Sequence, residues 1–284
     1  MQKKKVLILG SQGTLGQALV NEFSASGYEV TGWDKGDADV TSVQIAEQIT
    51  ALHPEIIINA TAYNAVDKAE SEGAEKELAF TLNADVPGKL AAIAKMTDAV
   101  FVHYSTDNVF KGDKMEGFSE TDIPDPVNVY GQTKYDGEKN VAKSGDKYYI
   151  IRLSRLFGIK GISPASKKSF VEIMLEKLSE PELTVMNVEK ASLTYAPDLA
   201  KLTLQLIESG LPWGIYHGAN EGECTWYEWA QEIFRLKGIG PKLSPATQPP
   251  VPRPAARPQF SRLLNTKLPL QRSWQEALKE FLGS

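Results

Sequence analysis

The sequence predicts an α/β fold: a doubly wound parallel sheet with a smaller, interwoven C-terminal lobe. Three observations carry the prediction. Short apolar runs alternate with amphipathic stretches through the first half, a glycine-rich turn follows the first run, and the alternation loosens after about residue 155.

The runs Val6–Leu9, Glu29–Trp33, Ile56–Asn59, Val100–Tyr104 and Tyr148–Leu153 read as strands. Most are continuously apolar and β-branched, the pattern of strands buried on both faces. Between them, Leu15–Ser24, Val43–Leu52, Glu75–Lys95 and Tyr130–Lys143 carry apolar residues at helical spacing. Later helices are expected at Lys168–Leu178, Asp198–Glu208, Trp226–Lys237 and Trp274–Phe281, with short strands near Leu183–Val185 and Gly214–His217. The Pro-rich stretch Gln248–Pro258 is expected to run extended over the surface, because proline fixes φ and lacks an N–H. No repeat or low-complexity tail is visible.

Composition narrows the classes. With 42% hydrophobic residues among 284, the chain can bury a large core, and its net charge of −5 gives no footprint for nucleic acid. A single cysteine, Cys224, rules out an intrachain disulfide and a cysteine metal cluster. The apolar run after the basic start is too short for a signal peptide, and no stretch approaches the ~20 apolar residues of a membrane span. A cytoplasmic protein is the expectation.

Gly10-Ser-Gln-Gly13-Thr-Leu-Gly16 links the first strand to the first helix. In such a turn the first glycine makes the bend, the second lets backbone approach a pyrophosphate, and the third lets helix pack on sheet. The phosphates would face the helix N-terminus through Gln12, Thr14 and Leu15. Asp34 closes the second strand 18 residues after Gly16, where a carboxylate can bond adenosine ribose hydroxyls. It disfavours a 2′-phosphate, while the adjacent Lys35 offsets that, so NAD(H) and NADP(H) both stay open. Asp39 and Val40 are placed to reach the adenine edge, with a solvated turn as the alternative for Asp39. Asn59, Ala60, Thr61 and Ala62 end the third strand with small residues beside a cofactor, or simply cap the strand; Tyr63 and Asn83 complete the expected cofactor set. The fold is therefore Rossmann-type, with residues 1–155 binding dinucleotide. Residues 156–284 mainly form a substrate lobe, with some segments returning to the first domain.

Tyr130 and Lys134 stand four apart in an expected helix and so share one face. A carbonyl reduction needs a proton for the developing alkoxide, and a tyrosine can supply it. A nearby ammonium favours the phenolate, so Lys134 is expected to lower the Tyr130 pKa from about 10. Ser105 and Thr106 end the fourth strand at the carboxyl edge of the sheet, where a hydroxyl can polarise a substrate carbonyl.

These residues resemble the extended short-chain dehydrogenase/reductases, and within them the dTDP-4-dehydrorhamnose reductases. The resemblance runs through Asn59-Ala-Thr-Ala-Tyr63, Ala65-Val-Asp67-Lys-Ala-Glu70, His103-Tyr-Ser-Thr-Asp107 with Val109-Phe110, and Val129-Tyr-Gly-Gln-Thr-Lys134 with Gly137-Glu138. It continues in Thr225-Trp-Tyr-Glu228 and in Arg257-Pro258 with Ser261. It implies reduction of the C4 ketone of a dTDP-linked 6-deoxy sugar to give dTDP-L-rhamnose, with Thr106, Tyr130 and Lys134 as the catalytic set. The related 4,6-dehydratases carry Asp-Glu after the threonine; here Asp107 is followed by Asn108, whose amide exchanges no proton, so dehydration is excluded.

Four sites depart from the reductase pattern: Asn108 in place of tyrosine, Arg155 in place of an aromatic, the loop Asn187–Thr194, and Phe260-Ser-Arg-Leu263. The expected substrate set is Val66, Asp107, Asn108, Arg155, Trp226 and Arg257. Arg155 and Arg257 are candidate phosphate clamps with salt bridges as the alternative. Trp226, Tyr227 and Trp229 read first as core. His103 reads as a bonded core residue, and the histidines show no metal spacing. Gln17-Ala18-Leu19 lacks the glutamate through which some resembling reductases associate around metal, so no metal is expected. A nucleotide sugar is the expected partner, and a homodimer is compatible with the sequence. The competing readings are reduction of a different nucleotide keto-sugar, and a non-catalytic cofactor-binding regulatory subunit.

Overall fold

The computed structural model describes residues 3–164, 166–249 and 252–283. Its first half is the expected alternation: β1 (Lys5–Leu9), α1 (Thr14–Ala25), β2 (Glu29–Trp33), α2 (Ile45–Leu52), β3 (Ile56–Asn59), α3 (Ala74–Phe80), α4 (Val86–Met96), β4 (Val100–Thr106), α5 (Val129–Ser144) and β5 (Tyr148–Leu153). Then follow β6 (Leu156–Phe157), α6 (Phe170–Leu175), β7 (Glu182–Met186), β8 (Lys190–Ala191), β9 (Thr194–Tyr195), α7 (Ala196–Ser209), β10 (Gly214–His217), α8 (Trp226–Lys237), β11 (Lys242–Ala246), β12 (Phe260–Ser261) and α9 (Trp274–Phe281).

Six parallel strands form the main sheet in the order β10-β5-β4-β3-β1-β2. Strand order reverses between β1 and β3, the switch point at which such sheets open a ligand crevice at their carboxyl edge. Alternate side chains of each strand serve two cores. Val6, Ile8, Ile56, Ile58 and Val102 pack against Leu19 and Phe23 of α1 and Leu199 and Leu202 of α7. Leu7, Leu9, Ile57 and Phe101 meet Ile45 and Ile49 of α2, Leu90 and Ile93 of α4, and Val141 of α5. A third core joins Phe157, Val171, Trp229, Ile233, Trp274 and Leu278 in the late lobe. β10 belongs to the main sheet and α7 packs against it, although both lie beyond residue 155.

Several expected elements differ in detail. The stretch Glu75–Lys95 is not one helix: a π-helical turn, Thr81–Asp85, separates α3 from α4. Pro87 lacks the N–H that would bond the Asn83 carbonyl, so the regular ladder cannot continue there. Val43 is exposed and lies ahead of α2, and the Lys168–Leu178 helix contracts to α6. Leu183–Val185 lies in β7, whose partner β11 carries no alternating pattern and was not anticipated. Within Gln248–Pro258, Pro250 and Val251 lie outside the described residues; the rest forms no regular element.

Candidate active site

β1 delivers the glycine turn to the crevice. Gly10 and Ser11 donate their amides to the Trp33 carbonyl at 2.7 and 3.1 Å, tying the turn to the end of β2. A Cβ on Gly16 would stand 2.0 Å from the Gly10 carbonyl oxygen, so only glycine lets α1 begin this close to the strand. Gly13 is the N-cap and offers no side-chain acceptor, which leaves the first-turn amides of Thr14 and Leu15, at the positive end of the helix dipole, for an anionic ligand. The Asp34 carboxylate accepts from Gln12 N at 3.3 Å, Lys35 N at 2.9 Å and Ser163 Oγ at 3.4 Å. An uncapped helix start and a carboxylate at the end of β2 fit the pyrophosphate and ribose of a dinucleotide.

Thr106 ends β4, buried at the same edge. Tyr130 lies in the first turn of α5, whose start is held twice: Asn128 Oδ1 accepts from Gly131 N at 2.7 Å, and Glu70 Oε1 from Val129 N at 2.8 Å. A Cβ on Gly131 would fall 2.1 Å from the Asn108 carbonyl oxygen; glycine there lets the helix press on the loop after β4. That approach brings Tyr130 close enough to Thr106 and Asp107 for both to act on its phenol. Lys134, one turn along, is buried and donates to the Tyr104 carbonyl at 2.6 Å.

The electrostatics correct one expectation. Tyr130 is not lowered by Lys134: desolvation pushes its pKa up to about 12, the Thr106 hydrogen bond opposes this, and the Asp107 charge adds to it. Lys134 falls to about 8, because burial disfavours its ammonium more than Glu138 supports it. Tyr130 is therefore a protonated phenol near neutral pH, ready to donate.

Other anticipated residues take varied positions. Asp39 is exposed and accepts from Thr41 N and Oγ1 at 2.9 and 2.7 Å, the turn alternative, and Val40 is core. Asn59 is buried, accepting from Thr61 and meeting His103 Nδ1 at 3.2 Å, so it caps β3. Ala60 and Thr61 border the crevice beside Gly10, and Ala62 is exposed. Asn83 does not point its amide at a cofactor: Nδ2 donates to Tyr63 O at 3.0 Å and Thr133 Oγ1 at 3.1 Å, and Oδ1 accepts from Tyr63 N at 2.9 Å. It fixes the loop after β3, as does the bond from buried Tyr63 to Glu75.

At the substrate end, neither arginine is a free phosphate clamp. Arg155, at φ 40°, donates to the Cys224 and Glu189 carbonyls at 2.8 and 2.9 Å and stacks 4.1 Å over Trp226. Arg257 pairs with Asp67 at 2.7 Å. Trp226 bonds Glu189, which also pairs with Arg253, whereas Trp229 is core. Val66 is half-buried in the loop that Asp67 anchors. Asp107 is buried and bonded on both oxygens, and Asn108 reaches Thr106 and Asp107.

The sequence matches the family described as "RmlD substrate binding domain" over residues 4–284. The chain belongs to this family. It is 34% identical to the dTDP-4-dehydrorhamnose reductase of Escherichia coli K12, covering 98% of this chain and 97% of the relative. It is 33% identical to the spore coat polysaccharide biosynthesis protein SpsK of Bacillus subtilis, covering 98% and 96%. Among solved structures, the dTDP-4-dehydrorhamnose reductase of Bacillus anthracis in complex with NADP superposes with a TM-score of 0.92 at 34% identity, covering 99% of both chains.

Within this RmlD-family chain, sequence reasoning missed the residues that hold the site together. The segment after β6 lies against the glycine turn, with Ser163 N donating to Gln12 O at 3.1 Å and Gly161 N to Thr14 Oγ1 at 3.2 Å. Glu70 and Asn128 hold α5, while Ser154 and Ser261 hold Asp107. The N-cap motif before Tyr130 was a readable signal; the others join residues far apart in sequence.

Proposed function

We propose that this protein reduces the C4 ketone of a nucleotide-linked 6-deoxy-4-keto sugar with NAD(P)H, converting dTDP-4-dehydro-L-rhamnose to dTDP-L-rhamnose. The observation that carries this is that Thr106, Tyr130 and Lys134 lie at the carboxyl edge of the same parallel sheet whose first strand leads into a dinucleotide-type glycine turn. Full-length similarity to dTDP-4-dehydrorhamnose reductases supports the sugar.

When bound, the reduced nicotinamide supplies the hydride. The Thr14 and Leu15 amides and Asp34 would hold it, and Lys134, buried beside the Tyr104 carbonyl, is the residue that would meet its ribose. As the carbonyl carbon accepts hydride, its oxygen gains charge, and Tyr130 Oη donates the proton that completes the alcohol. Residues 1–155 supply the cofactor side; the later chain, apart from α7 and β10, supplies most of the sugar side. The working setting is cytoplasmic, with a homodimer as the assembly to test by light scattering.

The assay follows oxidation of NADH and of NADPH with dTDP-4-dehydro-L-rhamnose. Turnover is expected, and Tyr130→Phe should lower kcat by at least about a hundredfold with cofactor affinity unchanged. Cofactor binding without turnover of this or another nucleotide keto-sugar would overturn the reading in favour of a regulatory subunit.

A further inference from the structure

The Pro-rich arm Pro252–Pro258 lies in the chain between β11 and β12, two strands of the late lobe, yet its middle is bonded to the first domain. At its near end Arg253 pairs with Glu189, the residue before β8, through both terminal nitrogens, Nη1 at 3.3 Å. Glu189 also accepts from Trp226 Nε1 at 3.1 Å, which fixes this end to the late lobe. Further along, the Ala255 N–H meets Asp67 Oδ1 at 3.3 Å. The Ala255 carbonyl accepts from Arg257 Nη1 at 2.7 Å, and Arg257 Nη2 reaches Asp67 Oδ2 at 2.7 Å, so Asp67 and Arg257 close a ring on one peptide. Ala256 O then accepts from Asn128 Nδ2 at 2.8 Å.

Proline explains why side chains do this holding. Pro252, Pro254 and Pro258 have fixed φ and no N–H to give a ladder, and the described part of the arm forms no regular element. Its anchors are shared with the site. Asn128 caps α5 by accepting from Gly131 N at 2.7 Å, and it donates to Asn108 Oδ1 at 3.1 Å. Asp67 stands directly after Val66 and directly before the turn Lys68–Glu70, from which Glu70 accepts from Val129 N at 2.8 Å. The arm thus reaches the start of α5 by two routes. Val66 adjoins one of its anchors and Asn108 is bonded to the other, and both belong to the expected sugar set.

We propose that this arm is a clasp between the lobes, with Arg253 and Asp67 as positioning residues at its two ends, and that it sets Val66 and Asn108 against the late lobe to receive the sugar. Neither end takes part in hydride or proton transfer. The inference rests on the reductase reading and adds to it a pair of ion pairs on which sugar affinity depends. A clasp opened at one end no longer holds at the other, so the two ends act as one unit.

The test compares Arg253→Ala, Asp67→Asn and the double variant with wild type in sugar KM, kcat, cofactor Kd and hydrogen exchange of the first turn of α5. Each single change should raise sugar KM about tenfold, with kcat lowered less than about threefold and cofactor Kd within about twofold. The double variant should exceed the worse single one by less than about threefold. Exchange of the Val129 and Gly131 amides should quicken about fivefold or more in Arg253→Ala, although Arg253 sits at the other end of the arm. Three results overturn the proposal: a sugar KM in Arg253→Ala within about twofold of wild type, α5 exchange at the wild-type rate, or losses that multiply in the double variant. If Asp67→Asn does not fold, Arg253→Ala decides by KM and exchange. If the wild type turns over no keto-sugar, the functional reading falls. The exchange of α5 still decides this inference, and an unchanged rate in Arg253→Ala overturns it.

Discussion

At the proposed cofactor end, the candidate residues lie between Gly10 and Asp34, braced by Gly161 and Ser163, and would act mainly through backbone: amides at the start of α1, a tight turn, and one carboxylate. At the proposed catalytic and sugar end, Thr106, Tyr130, Ser154, Arg155 and Ser261 come from segments far apart in the chain and present side chains. A backbone site tolerates many side-chain changes nearby but not an added Cβ. A side-chain site can be altered one group at a time, with each change felt in chemistry or substrate fit.

The largest expected effect breaks the backbone end. Gly16→Val places atoms where the Gly10 carbonyl stands, so it should cost about 3 kcal/mol or more and abolish dinucleotide binding, read by thermal unfolding and fluorescence titration. Near-wild-type stability with intact binding would show that the turn has room to move.

Next is Lys134, which carries a burial penalty at the catalytic end. Its pKa is depressed from 10.5 to about 8, so between these values the unfolded chain holds a proton the folded chain has lost, and wild-type stability rises with pH there. Below that window the penalty is fully present. Lys134→Met should thus be inactive but more stable than wild type near neutral pH, by on the order of 2 kcal/mol. Its advantage should shrink as pH climbs towards 10.5, as urea unfolding at several pH values would show. A gap that does not narrow counts against a strained lysine.

A smaller effect separates the two ends. Arg155→Ala removes two bonds to carbonyls and the stack on Trp226, so sugar KM should rise about tenfold while cofactor KM stays within twofold. Equal changes in both would mean that the ends are not independent. Smallest of all, Asp39→Asn should move cofactor KM by less than about twofold, because that carboxylate bonds Thr41 in its own turn; a larger rise would bring it back to the adenine site.

The cofactor end was legible in the sequence because a local site leaves local marks: a strand, three spaced glycines, then an acid after the next strand. The six-stranded core was legible through its apolar runs, and α8 and α9 through their periodicity. Less could be read of the other end. Thr106, Tyr130 and Lys134 show as residue types in order, but the partners of Asp107 lie 47 and 154 positions away and leave no spacing to detect. Arg155 reads as a candidate phosphate clamp with a salt bridge as the alternative, since nothing in its neighbourhood announces the carbonyls of Cys224 and Glu189. Asn83 read as a cofactor ligand because periodicity does not show that Pro87 shifts the helix ladder.

That shifted turn, Thr81–Asp85, makes chain length matter more than side-chain identity at one point of the fold. Removing a single residue there, together with replacing Pro87, whose missing N–H would otherwise still interrupt the ladder, would let α3 and α4 fuse into a regular helix. Each residue advances a helix by about 100°, so everything before the deletion would swing by that angle relative to α4. Asn83 would leave the Tyr63 peptide it now holds by both N–H and C=O. A designer who straightened this helix for stability would gain a better ladder and loosen the loop that follows β3.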